Sequence, residues 1–500
     1  MKMMACGFGH AWEEILRFAQ NDPERGRQGQ QGLKGPRGQA KTTLGAVAGR
    51  LPVLAIFLIV HGALAEAPVG ALSVSGHSSL QAAIDANPGK VLYVPAGDYI
   101  LEAPVRISSD QGGLWGPGRL IQSKPDQNIV EIANARGVRI HDLTLMRAEG
   151  SQDSTAHALY ATQCRDLEVA GLQVIDNRSQ AGTIYLDHCR ESVVRDCLVR
   201  NYQRVGVDDR TSSPLYGYAF RVIDGTGIQV TFSSGIQILD NRVIEDNLYP
   251  DEATKTKYEL GKLTEGKQPR TKGTIGQPGG DYVNNWHQGS AITVSSPEDT
   301  NHVAIVGNYI ENAAQGIDMH TDNSICSRNV IHYAFVGLKC MHGAKNVIIS
   351  DNIVTHNDLW GLVMLPGVLS HPTEAASEGK EAHTANFTRG NIIANNIFSD
   401  YGLGHESYNW AAQRAGVISL ESGQLPENPI MTDVIIEGNI VYDTAREQIL
   451  EEGMPKDVPP RYDWAVYITP DLRPQGLIFR DNIFHPGTEG VSNIALEGEE

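Results

Sequence analysis

From about residue 130 onward the chain repeats short stretches in which apolar and polar residues alternate, each followed by a few turn-forming residues. The clearest copies are ILDNRVI from Ile238, IVGNYI from Ile305, IISDNIV from Ile348, IIANNIF from Ile392, IIEGNIV from Ile435 and LIFRDNIF from Leu477. A period of two makes each stretch a β-strand with one face turned in and the other out. Asn241, Asn308, Asn329, Asn352, Asn396, Asn439 and Asn482 fall in one slot of the repeat, and the intervals 308–329 and 329–352 match one coil of a parallel solenoid. Stacked at a strand spacing of about 4.8 Å, their amides would bond along the axis and satisfy turn backbone. In earlier coils Leu143, Leu172 and Cys197 take that slot, so the ladder begins as an apolar one.

The pattern predicts an all-β fold: a single-stranded right-handed parallel β-helix, a solenoid of about ten coils with long side loops. Ahead of the repeats, SSLQAAIDANPG offers Ser78 or Ser79 as N-cap, apolar Leu80, Ala83 and Ile84 on one helical face, and a Pro-Gly stop. A short helix there would cap the open end. Residues 66–127 are assigned to this cap and the first strands, 128–490 to the β-helix and 491–500 to a C-terminal tail. Three segments break the repeat, Tyr249–Trp286, Pro366–Arg389 and Thr444–Asp463, and are expected to leave the coils as loops.

Leu51–Val60 is strongly apolar, follows Arg50 and leads to Ala63-Leu-Ala65, the layout of a secretory signal. It lies unusually far from Met1, which suggests an over-extended start, so residues 1–65 are read as a leader. A secreted or periplasmic protein without stable membrane insertion after signal removal is expected. The formal net charge is −18, and the leader is rich in Lys and Arg, so the chain beyond residue 65 is more acidic still. That excludes a nucleic-acid-binding surface. Beyond the leader, five cysteines remain, an odd number that leaves at least one thiol free. Cys164 and Cys189 are expected as coil neighbours, as a disulfide or as a reduced stack.

Aligning the first strand of successive coils gives AITVS (Ala291), GIDMH (Gly316), GLKCM (Gly337), GLVML (Gly361), VISLE (Val417) and AVYIT (Ala465). With the second and fourth residues inward, the outward ladder reads Thr293, Asp318, Lys339, Val363, Ser419, Tyr467, and is expected to be exposed. Asp318 and His320 share a face, Lys339 stacks on Asp318, and His342 can turn toward His320. The same cluster is also what a cross-coil surface ion pair with solvated histidines would look like. Asp322, Arg328 and Glu421 lie nearby in the chain, and Trp286 and His287 stand at a loop end where an aromatic ring could stack on a sugar.

The VPAGDY strand after the capping helix and the repeats beyond it resemble the pectate-lyase-like superfamily. The segment 316–346, with Ile317-Asp318-Met319-His320-Thr321-Asp322, resembles the catalytic coil of mannuronan epimerases, in which an Asp-Pro-His-Asp stretch follows an aromatic residue. Here Met319 replaces the Pro and the second acid is displaced by one. The resemblance implies a carbohydrate-active protein with Asp318 and His320 as site residues; together with Lys339 and His342, which the register sets beside them, the expected activity is that of a lyase or epimerase on a uronic-acid-containing polysaccharide, with these four as catalytic residues. Trp286, His287, Asp322, Arg328 and Glu421 would bind the substrate. Asp208-Asp209 is the only trace of the paired acids of polygalacturonase-like hydrolases. A glycoside hydrolase and a non-catalytic glycan-binding solenoid stand as alternatives. No cofactor is indicated with certainty; Ca²⁺ would relieve repulsion between an acidic protein and an anionic polymer, though no dedicated calcium motif is visible. A monomer is the expected state.

Overall fold

A computed structural model describes residues 71–496 except 180–181, 214–216, 247–285, 288, 297–298, 358–359, 366–374, 377–386, 402–415, 421–429, 445–459 and 470–472. For 205–224 and 286–287 it describes the backbone alone. The leader and most of the three expected loops therefore lie outside the described residues. Among the described residues no helix is long and apolar enough to cross a membrane.

The alternating stretches form three parallel sheets of twelve strands each. Sheet 1 opens with Val91–Tyr93, sheet 2 with Asp98–Leu101 and sheet 3 with Val105–Ile107, and the chain visits them in that order once per coil. Every coil hands its backbone hydrogen bonds to the next, and right-handed winding follows from the twist of the strands. The first strands belong to the same sheets as the later ones, which brings the count above the ten coils expected. Helix Leu80–Ala86 is capped by Ser79, whose hydroxyl accepts from the Ala82 amide, and buries Leu80 and Ala83 against the first coil.

The inward residues make one continuous aliphatic core along the axis, including Ile292, Val294, Ile317, Met319, Leu338, Cys340, Leu362 and Met364. The corner between sheets 1 and 2 holds the asparagine ladder. Asn352 Oδ1 accepts from the backbone N–H of Asn329 at 2.9 Å and its Nδ2 at 3.0 Å, while Asn352 Nδ2 donates to the Cys326 carbonyl at 3.1 Å and to Asn396 Oδ1 at 2.9 Å. The same pattern runs from Asn241 to Asn482, and Asn241 Oδ1 caps the Cys197 amide where the apolar slots end. The residue before each Asn is left-handed, which turns the chain sharply: Asp240, Gly307, Arg328, Asp351, Asn395, Gly438 and Asp481 all have φ between +52° and +73°.

Two expectations are refined. Cys164 and Cys189 are free and buried, so the reduced stack is what the coils hold. Residues 204–224 leave the coils as a hairpin, Arg204–Ser213 against Gly217–Asp224, joined in parallel by Trp286–His287. Asp208 and Asp209 thus lie on a separate three-stranded sheet, and Trp286 and His287 form a strand where a loop end was expected.

Asn352→Leu should test the ladder. Leucine fits the slot, as Leu143 and Leu172 show, but strands the Asn329 donors and the Cys326 carbonyl in a buried corner at about 1–3 kcal/mol for each unsatisfied group. A thermal melt should shift down by several degrees while the far-ultraviolet spectrum stays β-rich; an unchanged melt would refute the structural role.

Candidate functional site

The outer face of sheet 3 carries one unbroken ladder, Glu131–Tyr160–Tyr185–Gln229–Thr293–Asp318–Lys339–Val363–Ser419–Tyr467. The register expected from alternation is the observed one. The expected exposure is not: Thr293, Asp318, Lys339, Val363 and Ser419 are each 5% exposed or less. Alternation determines from which side of its strand a side chain leaves, and carries no information on what covers that side.

Asp318 is the penultimate residue of strand Gln315–Met319, and Lys339 lies on Val336–Met341, one coil on. Lys339 Nζ donates to Asp318 Oδ2 at 2.9 Å and to Gln315 Oε1 at 3.0 Å. His320 Nε2 lies 2.8 Å from Asp318 Oδ1, so that the carboxylate stands between the imidazole on one oxygen and the lysine on the other. His342 follows its strand at φ +58°, and that left-handed turn swings its ring edge-on to His320, with centroids 4.3 Å apart at 80°. His342 Nδ1 is buried and without a hydrogen-bond partner.

Electrostatics separates these groups. Burial pushes the Asp318 carboxyl up, but the neighbouring His320 and Lys339 outweigh it and hold the group well below the usual carboxylate range. His342 is driven well below the ordinary histidine value, first by burial and then by His320 and Lys339, so it stands neutral at pH 7. Behind them in the core, burial and then Asp318 push the Cys340 thiol up to about 12, so it stays protonated.

Of the expected site residues, Asp318, His320, Lys339 and His342 come together. Asp322 is the next buried acid, in the turn after the strand; its Oδ1 accepts from the Lys345 amide at 3.1 Å and its Oδ2 lies 3.6 Å from Lys345 Nζ. Arg328 does not join them: it is an exposed left-handed corner residue between sheets 1 and 2. Sequence proximity misled because a coil reverses direction within ten residues. Glu421 and the side chains of Trp286 and His287 lie outside the described residues. Gln315 was not anticipated. It has the parity of inward Ile317 and Met319, which assigns it to the core, but its amide oxygen accepts from both Lys339 and Ser290, the latter at 3.3 Å.

The cluster does not fit calcium, which takes six or more oxygen ligands. Asp318 faces a lysine and a histidine, Asp322 is engaged by Lys345, and among the described residues no group of three or more His, Cys, Asp or Glu could hold a metal ion.

A pH series should expose the buried imidazole. Because the folded state holds His342 below 6.5, its contribution to stability is complete above that pH and is lost as pH falls through the window below it; Asp318 acts with the same sign below about 4. The drop in denaturation midpoint between about pH 7.5 and about pH 5.5 should therefore be smaller in His342→Gln than in the parent. Equal drops would mean that the imidazole is not held neutral.

Comparison with solved structures finds this architecture at low sequence identity. The Dettilon tailspike protein gp208 is 12% identical with a TM-score of 0.50, over 83% of this chain and 64% of that one. The A-module of Azotobacter vinelandii mannuronan C-5 epimerase AlgE4 is 11% identical with a TM-score of 0.49, over 85% of this chain and 96% of that one. An exopolygalacturonase from Thermotoga maritima is 10% identical with a TM-score of 0.43, over 72% and 82%. No protein-family model matches the chain, and no curated protein matches it in sequence. What the chain shares with these structures is the parallel β-helix fold.

Proposed function

We propose that this protein is an exported polysaccharide lyase or epimerase that removes the proton next to the carboxylate of a uronic-acid residue, with its reacting centre at Asp318, His320, Lys339 and His342. One observation carries the reading: a buried cation and two imidazoles gather around Asp318, and the His342 Nδ1 among them has no hydrogen-bond partner. A cross-coil ion pair needs only Asp318 and Lys339. Adding polar atoms that stay unsatisfied costs stability, and such groups concentrate where a ligand completes them.

Each group has a role suited to its state. Lys339, hydrogen-bonded to Asp318 Oδ2, offers charge to the substrate carboxylate and to the enolate-like form produced by proton loss. Gln315 and Asp318 hold the ammonium in place. Neutral His342 can accept a proton, and an incoming carboxylate raises its basicity by opposing the two factors of like sign that depress it. His320, 2.8 Å from Asp318, serves in this reading as the second proton carrier, which reprotonates the sugar carbon in epimerisation or protonates the leaving oxygen in elimination. Against hydrolysis stands the state of Asp318: a carboxylate held ionised by a lysine is a poor proton donor, and Asp322 is tied to Lys345.

The test is incubation with uronate polymers in D₂O. Deuterium at the sugar carbon bearing the carboxylate, or a new carbon–carbon double bond there, should appear, while new reducing ends with neither signature would establish hydrolysis. Lys339→Met and His320→Gln keep side-chain volume in a buried site and should each lower turnover by roughly 10²- to 10⁴-fold with the β-rich spectrum retained. Melting should fall in Lys339→Met, which leaves Asp318 short of its cation. Near-parental rates in both folded variants would place the chemistry elsewhere.

A further inference from the structure

The outer face of sheet 3 changes character toward the N-terminus. Along the ladder from Asp318 through Thr293 and Gln229, the third step reaches Tyr185, roughly 14 Å away at the strand spacing. Tyr185, Tyr160 and Gln229 are partly exposed, unlike the closed middle coils. The rings of Tyr160 and Tyr185 lie 5.4 Å apart, and the Tyr185 hydroxyl lies 2.8 Å from Thr231 Oγ1, beside the Asp187 carboxylate. Asp187 accepts from Tyr160 Oη at 3.3 Å and Thr231 Oγ1 at 3.1 Å, and His188 Nδ1 stands 2.9 Å away.

Beside that carboxylate, at the corner leading to sheet 1, Phe232 stacks on His188 with centroids 4.9 Å apart and an interplanar angle of 15°. Phe232 is 44% exposed and has φ +50°. In this corner slot other coils carry Asn134, Gln163 and His188, all polar. A bulky apolar residue in the left-handed region, open to water, is strained and gains little from burial. Backbone geometry does not select it and the stack on His188 leaves much of its ring open, whereas an aromatic face beside a hydrogen-bonding carboxylate is what a sugar ring requires: carbon–hydrogen faces rest on the ring and hydroxyls donate to the acid.

We propose that Tyr160, Tyr185, Asp187, His188, Thr231 and Phe232 form a second sugar subsite that takes an uncharged pyranose ring, so that the substrate is a mixed polysaccharide with a neutral residue about three sugars from the reacting uronate. This rests on the reading of the Lys339 cluster as the reacting centre and narrows its substrate class. Neutrality follows from charge. The Asp187 carboxylate, which lies within the subsite, would repel a uronate carboxylate, whereas Lys339 attracts one.

Binding of neutral β-1,4-linked gluco-, manno- and galacto-hexaose and of a hexauronate is measured by calorimetry on the full chain. At least one neutral probe should bind. Phe232→Asn, which suits a left-handed corner, should weaken it about three- to tenfold with melting unchanged or raised, and Asp187→Ala should weaken it as well. Lys339→Met should leave neutral binding intact while losing turnover of uronate polymer. Failure of all three neutral probes, neutral binding unaffected by Phe232→Asn, or equal weakening of the hexauronate overturns the subsite. If Phe232→Asn loses neutral binding while Lys339→Met keeps full turnover, the subsite stands and the lysine-centred reaction falls.

Discussion

In-register parallel pairing between successive coils is the constraint on which the other features depend. A strand in this solenoid has no partner within its own coil, so every backbone N–H and C=O must find its mate in the coil above or below. Register then decides everything at once, because a slip of one residue would exchange core and outer faces along a whole strand. The corners hold the register. Between sheets 1 and 2 each Asn is tied by side chain and backbone to the next coil, and the left-handed residue before it allows only one entry into the following strand.

The same register builds the candidate site. Asp318 and Lys339 are 21 residues apart in the chain and become neighbours only because the coils stack without slip, with Nζ and Oδ2 at 2.9 Å. His342 reaches His320 because its strand ends one residue before a left-handed turn. A stiff aliphatic core lies directly beneath, so these side chains stand on a platform that cannot relax to satisfy them by moving backbone. The unpartnered His342 Nδ1 therefore persists here, where a flexible loop would have closed around it or opened to water. Such a platform suits a reaction in which charge develops on bound substrate, since the cation is already in place and needs no reorganisation.

Chemistry along the outer face of sheet 3 is graded. Middle coils present a buried lysine with histidines; coils toward the N-terminus present aromatic rings around Asp187, partly open to solvent. The two sets of groups are stacked along one axis, three coils apart. The overall acidity of the chain, −18, is thus compatible with an anionic substrate if charge attraction is confined to one place.

Period-two alternation, the recurring Asn and the 21- to 23-residue interval were enough, from sequence alone, for the all-β solenoid, for the inward set Ile317, Met319, Leu338 and Cys340, and for the pairing of Asp318 with Lys339. These are local facts, written in which side of a strand a residue leaves and how many residues fill a coil. Burial of the outer face, the reach of Gln315 to Lys339, the reduced state of Cys164 and Cys189 and the removal of Arg328 to another corner were decided by tertiary structure. Each depends on what a distant part of the chain places against a residue or on how a strand end bends. Periodicity reports the direction of a side chain; only the folded coils supply its neighbours.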